Sequence, residues 1–312
     1  MEWPLVSVII PNYNYARYLP QAIDSVLAQT YPRVEIVVVD DGSRDDSAAV
    51  LESYGSQIKA IRQQNQGVAA ARNRGAQAST GEYLAFLDAD DYWLPAKLER
   101  QMERFRREPE LGMVYCSVEE FSEQGTVRFL RDGLEGRVAK ELLLGQRMAF
   151  FGGGSGFVTP RALFDEVGGF DERLSTSADW ELVYRLAARR KTGFVPDVLL
   201  KYRIHGSNMH ANVGVMEREM MFSYGKAFAQ ATPEIQQLRR RCYGRLHMIL
   251  AGSYFQAGKY AGFLRHALKS LWLTPANAGR LLAYPVRLWR RLNLFEKVQA
   301  SAGPLAERGR QK

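Results

Sequence analysis

Apolar and polar positions follow two rhythms over the first two hundred residues. The short runs "VSVII" (6–10), "EIVVVD" (35–40) and "EYLAFLD" (82–88) are almost continuously apolar, as strands buried on both faces are. Between them, the amphipathic stretches 16–28, 45–54 and 67–78 predict crossover helices, and Asp45 or Ser43 is placed to cap the second. Further on, "LGMVYCSVEEF" predicts a strand, "SADWELVYRLAARR" a helix with Leu182, Val183, Leu186 and Ala187 as its apolar positions, and "GFVPDVLLKYRIH" a late extended segment. This alternation predicts an α/β fold over 1–213, with a mostly parallel central sheet and flanking helices. From about 214 the strand signals stop, so 214–312 is expected to be an α-helical C-terminal extension.

In open α/β sheets, ligands bind outside the carboxyl ends of the strands. The first three strands end in "PNYN", "DDGSRDD" and "DADD", so each discharges polar or acidic residues at one edge. Any one of these endings is also ordinary turn and cap sequence. Together they point to a site. Three carboxylates within four positions, Asp88, Asp90 and Asp91, repel one another unless a cation neutralises them, and hard oxygen ligands suit Mg²⁺ or Mn²⁺. Such an ion takes phosphate as its other partner and offsets charge on a departing diphosphate. Backbone phosphate loops do not offer an alternative, because there is no Walker pattern and "GGGSG" (152–156) lacks phosphate-loop spacing.

Composition changes this picture little. The 312 residues are 46% hydrophobic and 24% charged, ordinary for a globular chain with a sizeable core. Cys116 and Cys242 lack metal-ligand spacing and read as reduced thiols, so a cytoplasmic location is expected. The start, "MEWPLVSVIIPNYN", resembles neither a signal peptide nor a membrane span. Charge is more informative. The net +8 is carried by the tail, since residues 217–312 hold 17 Lys or Arg against 5 acids. A basic tail either meets phosphates, as on a membrane surface, or presents a solvated face; no nucleic-acid partner is expected.

The ordered set "VSVIIPNYNYARYLPQAIDSVLAQTYPRVEIVVVDDGSRDDS", "NQGVAAARNRGAQASTGEYLAFLDADD", "GGFDERLSTSADWEL" and "YRIHGSN" resembles glycosyltransferase family 2, the inverting enzymes of GT-A fold, over roughly 5–205. The resemblance implies a nucleotide-diphosphate-sugar donor, UDP being the expected carrier, a Mn²⁺ or Mg²⁺ ion, and transfer to an acceptor hydroxyl with inversion. By position, Pro11 and Tyr13 would line the nucleobase pocket, and Asp41, with Asp40 beside it, would accept a hydrogen bond from the base. Arg72 would either face the nucleotide or brace the acidic loops. Asp88 and Asp90 match the family's Asp-x-Asp motif, Asp90 for the metal and Asp88 for the ribose or the ion's waters. Asp91 is expected to cap a helix beginning near Pro95. Asp179 would be the general base, although Ala178 stands where the family usually has a second acid. His205 would reach the metal or the pyrophosphate. "FFGGGSGFVTPRALFDEVGGFDE" would form the acceptor-side wall. Trp180 is either a sugar-stacking platform or a core aromatic.

In the tail, "LAGSYFQAGKYAGFLRHALKSLWLTP" predicts two short helices about Gly258, weakly similar to one tetratricopeptide hairpin. "LLAYPVRLWRRLNLF" mixes arginines with Leu, Trp and Phe, suited either to peripheral contact with an anionic membrane or to packing on the catalytic domain. The expected function is sugar transfer onto a growing glycan, such as a cell-surface polysaccharide or lipopolysaccharide, with a glycan or lipid-linked acceptor. The alternative is a noncatalytic sugar-nucleotide or glycan-binding protein of the same fold; nucleotidyl transfer suits the later motifs less well.

Overall fold

The computed structural model describes residues 3–145, 150–205 and 212–282. The "GSN" of the last motif and all but the first two residues of "LLAYPVRLWRRLNLF" lie outside the described residues.

Among the described residues, nine strands form one sheet: β1 Val6–Asn12, β2 Val34–Asp40, β3 Lys59–Arg62, β4 Tyr83–Phe86, β5 Tyr92–Trp93, β6 Leu111–Ser122, β7 Gly125–Leu130, β8 Phe157–Pro160 and β9 Lys191–Arg203. The helices are α1 Leu19–Leu27, α2 Ser47–Ser53, α3 Val68–Ala78, α4 Lys97–Arg107, α5 Ala139–Leu144, α6 Arg161–Val167, α7 Ala178–Arg189, α8 Val213–Ala229, α9 Pro233–Gln237, α10 Arg239–Gln256, α11 Tyr260–Leu273 and α12 Ala278–Leu282.

The strand order is β3-β2-β1-β4-β8-β6-β9-β5, with β7 on the side of β6. Its first four strands are parallel, as the apolar runs and crossover helices require. The second half is mixed. β8 runs antiparallel to both β4 and β6, β6 and β9 are parallel, and β5 lies antiparallel on β9. Only two residues join β6 to β7, which forces that pair to be antiparallel.

Register brings the chemistry together. Asn12, the last residue of β1, lies opposite Asp40, the last of β2. β4 ends opposite Ile9, and Leu87 N still donates to Ile9 O at 3.0 Å, so the chain leaves the sheet there with Asp88 next in line. The helix α3 presses on β1 at one point. A Cβ on Gly75 would stand 2.4 Å from Ile9 Cγ2, so this close approach requires glycine. At the end of β4, Phe86 packs against Phe157, Phe164 and Phe170 with ring centroids 5.0–5.8 Å apart. Cys116 and Cys242 are buried free thiols, and burial pushes both up to about 11, which keeps them inert.

Neither Asp45 nor Ser43 caps α2, whose N-cap position is Asp46 without a side-chain cap; Asp45 Oδ1 accepts from Ser47 N at 3.1 Å from one residue earlier, and Ser43 is used elsewhere. The chain divides into two compact units, one to Gln236 and one from Gln237. Helix α8 and all but the last residue of α9 therefore fall in the same unit as the sheet, beyond the expected boundary at 213. In the second unit α10 and α11 form a hairpin that turns at Gly258 (φ +70°).

Candidate active site

A cleft of about 560 Å³ opens where β1, β2 and β4 end, within the usual size for a small-molecule site. Its lining includes Pro11, Tyr13, Asp41, Arg72, Asp88, Asp90 and Asp179. Seven of the residues singled out from the sequence thus meet in one place, although they span 168 positions from first to last.

The second strand end separates two neighbouring acids. Asp40 is not among the cleft residues. It is buried, accepts from Asn12 Nδ2 (3.3 Å) and Ser43 N (3.2 Å), and pairs with Arg62 at 3.6 Å. Asn12 Nδ2 also donates to Ser43 Oγ, which takes the Asn14 amide at 2.9 Å. Asp40 therefore ties the β1 and β2 ends together. Asp41 lines the cleft and grips the loop that enters α3, accepting from Gln63 Nε2 (2.8 Å), Gln66 N (2.9 Å) and Gly67 N (2.8 Å).

The end of β4 divides in the same way. Asp91 does not cap α4, which begins at Lys97 without a side-chain cap. Its carboxylate turns inward and accepts from Ser155 Oγ (2.6 Å) and Arg203 N (2.9 Å). Burial, followed by the charges of Asp90 and Asp88, holds its pKa well above the ordinary value despite those bonds. Ser155 Oγ also accepts the Asp88 amide at 3.0 Å, so one hydroxyl fixes both ends of the turn. Asp90 faces the cleft. Its Oδ2 lies 2.8 Å from His205 Nε2, and the His205 ring packs against Tyr15 and Tyr18. Burial and then Asp88 raise the pKa of Asp90, opposed by His205. The same crowd of acids, after burial, raises the Tyr202 hydroxyl.

Arg72 joins the acidic turn to Asp179. Its Nη2 donates to Asp88 Oδ1 at 2.6 Å and its Nη1 to Asp179 Oδ1 at 2.5 Å. The guanidinium is buried. Burial alone disfavours its charge, but Asp179 and Asp88 outweigh that and drive its pKa further up. Two neighbours fix the plane of the group. Phe170 lies 5.1 Å below Cζ, and a Cβ on Gly154 would stand 2.7 Å from Nη2. The "GGGSG" segment thus backs the acids: Gly154 seats Arg72 and Ser155 ties the turn. Asp179 occupies the first turn of α7, where the helix dipole favours a carboxylate.

Three residues have roles that sequence reasoning did not assign. Ser175 and Thr176 line the cleft just before Asp179. Glu219 of α8 holds that loop, accepting from Ser175 N (3.0 Å), Ser175 Oγ (2.6 Å), Thr176 Oγ1 (3.0 Å) and Ser177 N (2.9 Å). Burial acts to raise Glu219, but these bonds together hold its carboxyl below the ordinary value. The serine and threonine run "STS" was a visible polar signal, whereas Glu219 lies over forty positions away on a helix with no motif. Trp180 is half-buried. It stacks between Tyr184 and Tyr224, with interplanar angles of 8° and 12°, and does not line the cleft.

Among the described residues, no cluster of three or more His, Cys, Asp or Glu side chains is arranged to hold a metal ion. Two carboxylates, Asp88 and Asp90, line the cleft, and His205 hydrogen-bonds to Asp90. That matches cations which bind through one or two carboxylates and draw their other ligands from water and substrate phosphate.

A family model described as Glycosyl transferase family 2 matches residues 7–168. A glycosyltransferase from Nostoc sp. is 39% identical over 219 residues, 66% of each chain. One from Rickettsia typhi is 36% identical over 207 residues, 65% of this chain and 64% of its own. The chain thus spans about two thirds of the length of these relatives. Among solved structures, the mannosyltransferase PcManGT from Pyrobaculum calidifontis, in complex with GDP-Man and Mn²⁺, superposes with a TM-score of 0.63 at 21% identity, covering 99% of this chain and 89% of that one. TarS from S. aureus superposes with a TM-score of 0.62 at 20% identity, covering 80% and 43%. Its 1–349 form in complex with UDP-GlcNAc gives 0.56 at 17% identity, covering 86% and 91%. At these identities the likeness is one of fold, the GT-A arrangement.

Proposed function

Because the chain belongs to glycosyl transferase family 2, we propose that it moves a sugar from a nucleotide-diphosphate sugar, UDP-linked, to an acceptor hydroxyl with inversion. The observation that carries this reading is the Arg72 fork. One guanidinium holds Asp88, on the donor side, and Asp179, the proposed base, while both carboxylates line a single cleft. In the displacement, the acceptor oxygen forms a bond to the anomeric carbon as the bond from that carbon to the diphosphate oxygen breaks. Asp179 takes the acceptor's proton, and the nucleotide diphosphate departs. Such a base must face the side opposite the leaving group. Arg72 holds Asp179 and fixes its aim, and the Glu219-held loop anchors the start of its helix.

On the donor side, Tyr13 and Pro11 offer a face for the base, and Asp41 an acceptor for its amide. Asp90 and Asp88 would hold a Mn²⁺ or Mg²⁺ ion, with His205 orienting Asp90. When bound, such an ion offsets the charge that develops on the diphosphate. The related folds solved with UDP-GlcNAc and with GDP-Man and Mn²⁺ support a donor of this class. We propose a hydroxyl of a growing surface glycan, such as a polysaccharide or lipopolysaccharide, as acceptor. We place the reaction in the cytoplasm, in keeping with two free thiols. Among the described residues, no helix is long and apolar enough to cross a membrane.

The test is a panel of nucleotide sugars with Mn²⁺ or Mg²⁺, read by thermal shift and by release of nucleotide diphosphate. Wild type should be stabilised by one donor and release its nucleotide slowly. Asp90→Ala should weaken donor binding. Equal donor affinity in wild type and Asp90→Ala would defeat the metal assignment. Stabilisation without release, even with glycan acceptors added, would favour the binding-protein reading, which draws on Ala178 in place of the second acid.

A further inference from the structure

The second unit carries an apolar face that the catalytic reading does not use. On α11, Tyr260, Leu264, Leu268 and Trp272 are 60%, 57%, 67% and 73% exposed. Their spacing of four residues turns the helix by about 40° a step and runs a stripe about 18 Å long up one side. His266, Ala267 and Ser270, the buried residues of α11, lie on the other side, toward α10. Isolated exposed apolar residues are commonplace, but four in consecutive turns are not.

Charge identifies the occupant. Arg265 and Lys269 are exposed and follow the stripe along one edge. Between Glu234 and Glu296 the sequence contains no Asp or Glu and eleven Lys or Arg. A second copy of this surface would bring like charge against like. An anionic bilayer offers what the face lacks, acyl chains for the stripe and phosphates for the cations. The aromatic residues stand at the two ends of the stripe, Tyr260 and Trp272, and both ring types suit the lipid–water boundary.

We propose that the outer face of α11 docks on a bilayer containing anionic phospholipid, with Tyr260, Leu264, Leu268 and Trp272 entering the headgroup boundary and Arg265 and Lys269 meeting lipid phosphates. This inference needs no part of the glycosyl-transfer reading. The full chain is sedimented with phosphatidylcholine vesicles and with vesicles that also contain phosphatidylglycerol, at low and high salt. Wild type should partition onto the mixed vesicles, less at high salt, and barely onto phosphatidylcholine alone. Leu268→Glu with Trp272→Glu should lower partitioning by about a hundredfold, and Arg265→Gln with Lys269→Gln by roughly tenfold. Leu268 and Trp272 are exposed, so the melting temperature should be unchanged in their double variant, while Arg265→Gln with Lys269→Gln gives up the Arg265–His266 hydrogen bond and should melt slightly lower. Three results would overturn the proposal: no uptake of wild type by mixed vesicles, uptake that both variants retain, or concentration-dependent dimers that Leu268→Glu disperses while vesicles take up nothing.

Discussion

Two kinds of acid share the rim of the sheet. Asp40 and Asp91 are held by amides, hydroxyls and Asn12 on neighbouring strands and turns. Asp88, Asp90 and Asp179 open on the cleft, and their partners include two long cationic or ionisable side chains, Arg72 and His205. A backbone amide cannot leave its position without unfolding the loop that carries it. A side chain can swing toward a ligand. The difference teaches that Asp90 and Asp91, neighbours in one short run, divide by the donor each one meets, an imidazole for the first and a hydroxyl with a backbone amide for the second.

The largest expected effect tests the chemical side of that division. Asp179→Asn keeps the shape and removes the proposed base, so turnover should fall by about three orders of magnitude while donor affinity, read by titration calorimetry, stays near wild type. Next comes the link itself. Arg72→Met leaves Asp88 and Asp179 facing each other without their shared cation, and loss of one partner of a buried ion pair costs about 3 kcal/mol or more. Urea unfolding should register that loss, and turnover should fall with it; a variant as stable as wild type would mean that the fork contributes nothing to the fold. On the scaffold side, Asp91→Asn disturbs the Ser155 and Arg203 bonds at a cost of about 2 kcal/mol. The melting temperature should drop, while turnover well below it changes only a few-fold. A collapse of turnover with unchanged stability would move Asp91 into the chemical group.

The smallest effect comes from Glu219. Its folded-state pKa is lowered, so its contribution is present above the unfolded value, about 4.3, and is lost as pH falls through the folded value. Glu219→Gln should therefore cost about 1 kcal/mol at neutral pH and flatten the loss of wild-type stability below about pH 4. Parallel slopes in the acid limb for both proteins would show that the loop before Asp179 is held by something else.

Much of the fold was legible because an apolar run that ends in polar residues marks where a strand leaves the sheet. Asn12, Asp40 and Asp88 mark three such exits, and register then places them side by side. Which way each acid turns was not legible. Asp40 and Asp41 are chemically identical neighbours, and only the β1–β2 register and the loop entering α3 decide that Asp40 faces Asn12 while Asp41 faces the cleft. The mixed half of the sheet was hidden for a related reason, since antiparallel placement of β8 depends on its partners rather than on its own four residues. Glu219 gave no local signal because its acceptors lie more than forty positions earlier. Trp180 was open to two readings because an aromatic one residue beyond the proposed base reads alike in both, and its stacking on Tyr184 and Tyr224 depends on residues elsewhere in the chain.

Gly75 sits one turn beyond Arg72 on the same helix, seated on Ile9 without room for a methyl group. The reach of the Arg72 arm is therefore calibrated by hydrocarbon contact at its root, not by anything inside the cleft. Warming or pressure that loosens this contact should detune the alignment of the proton acceptor with the donor, so that catalysis fades some degrees before the fold gives way.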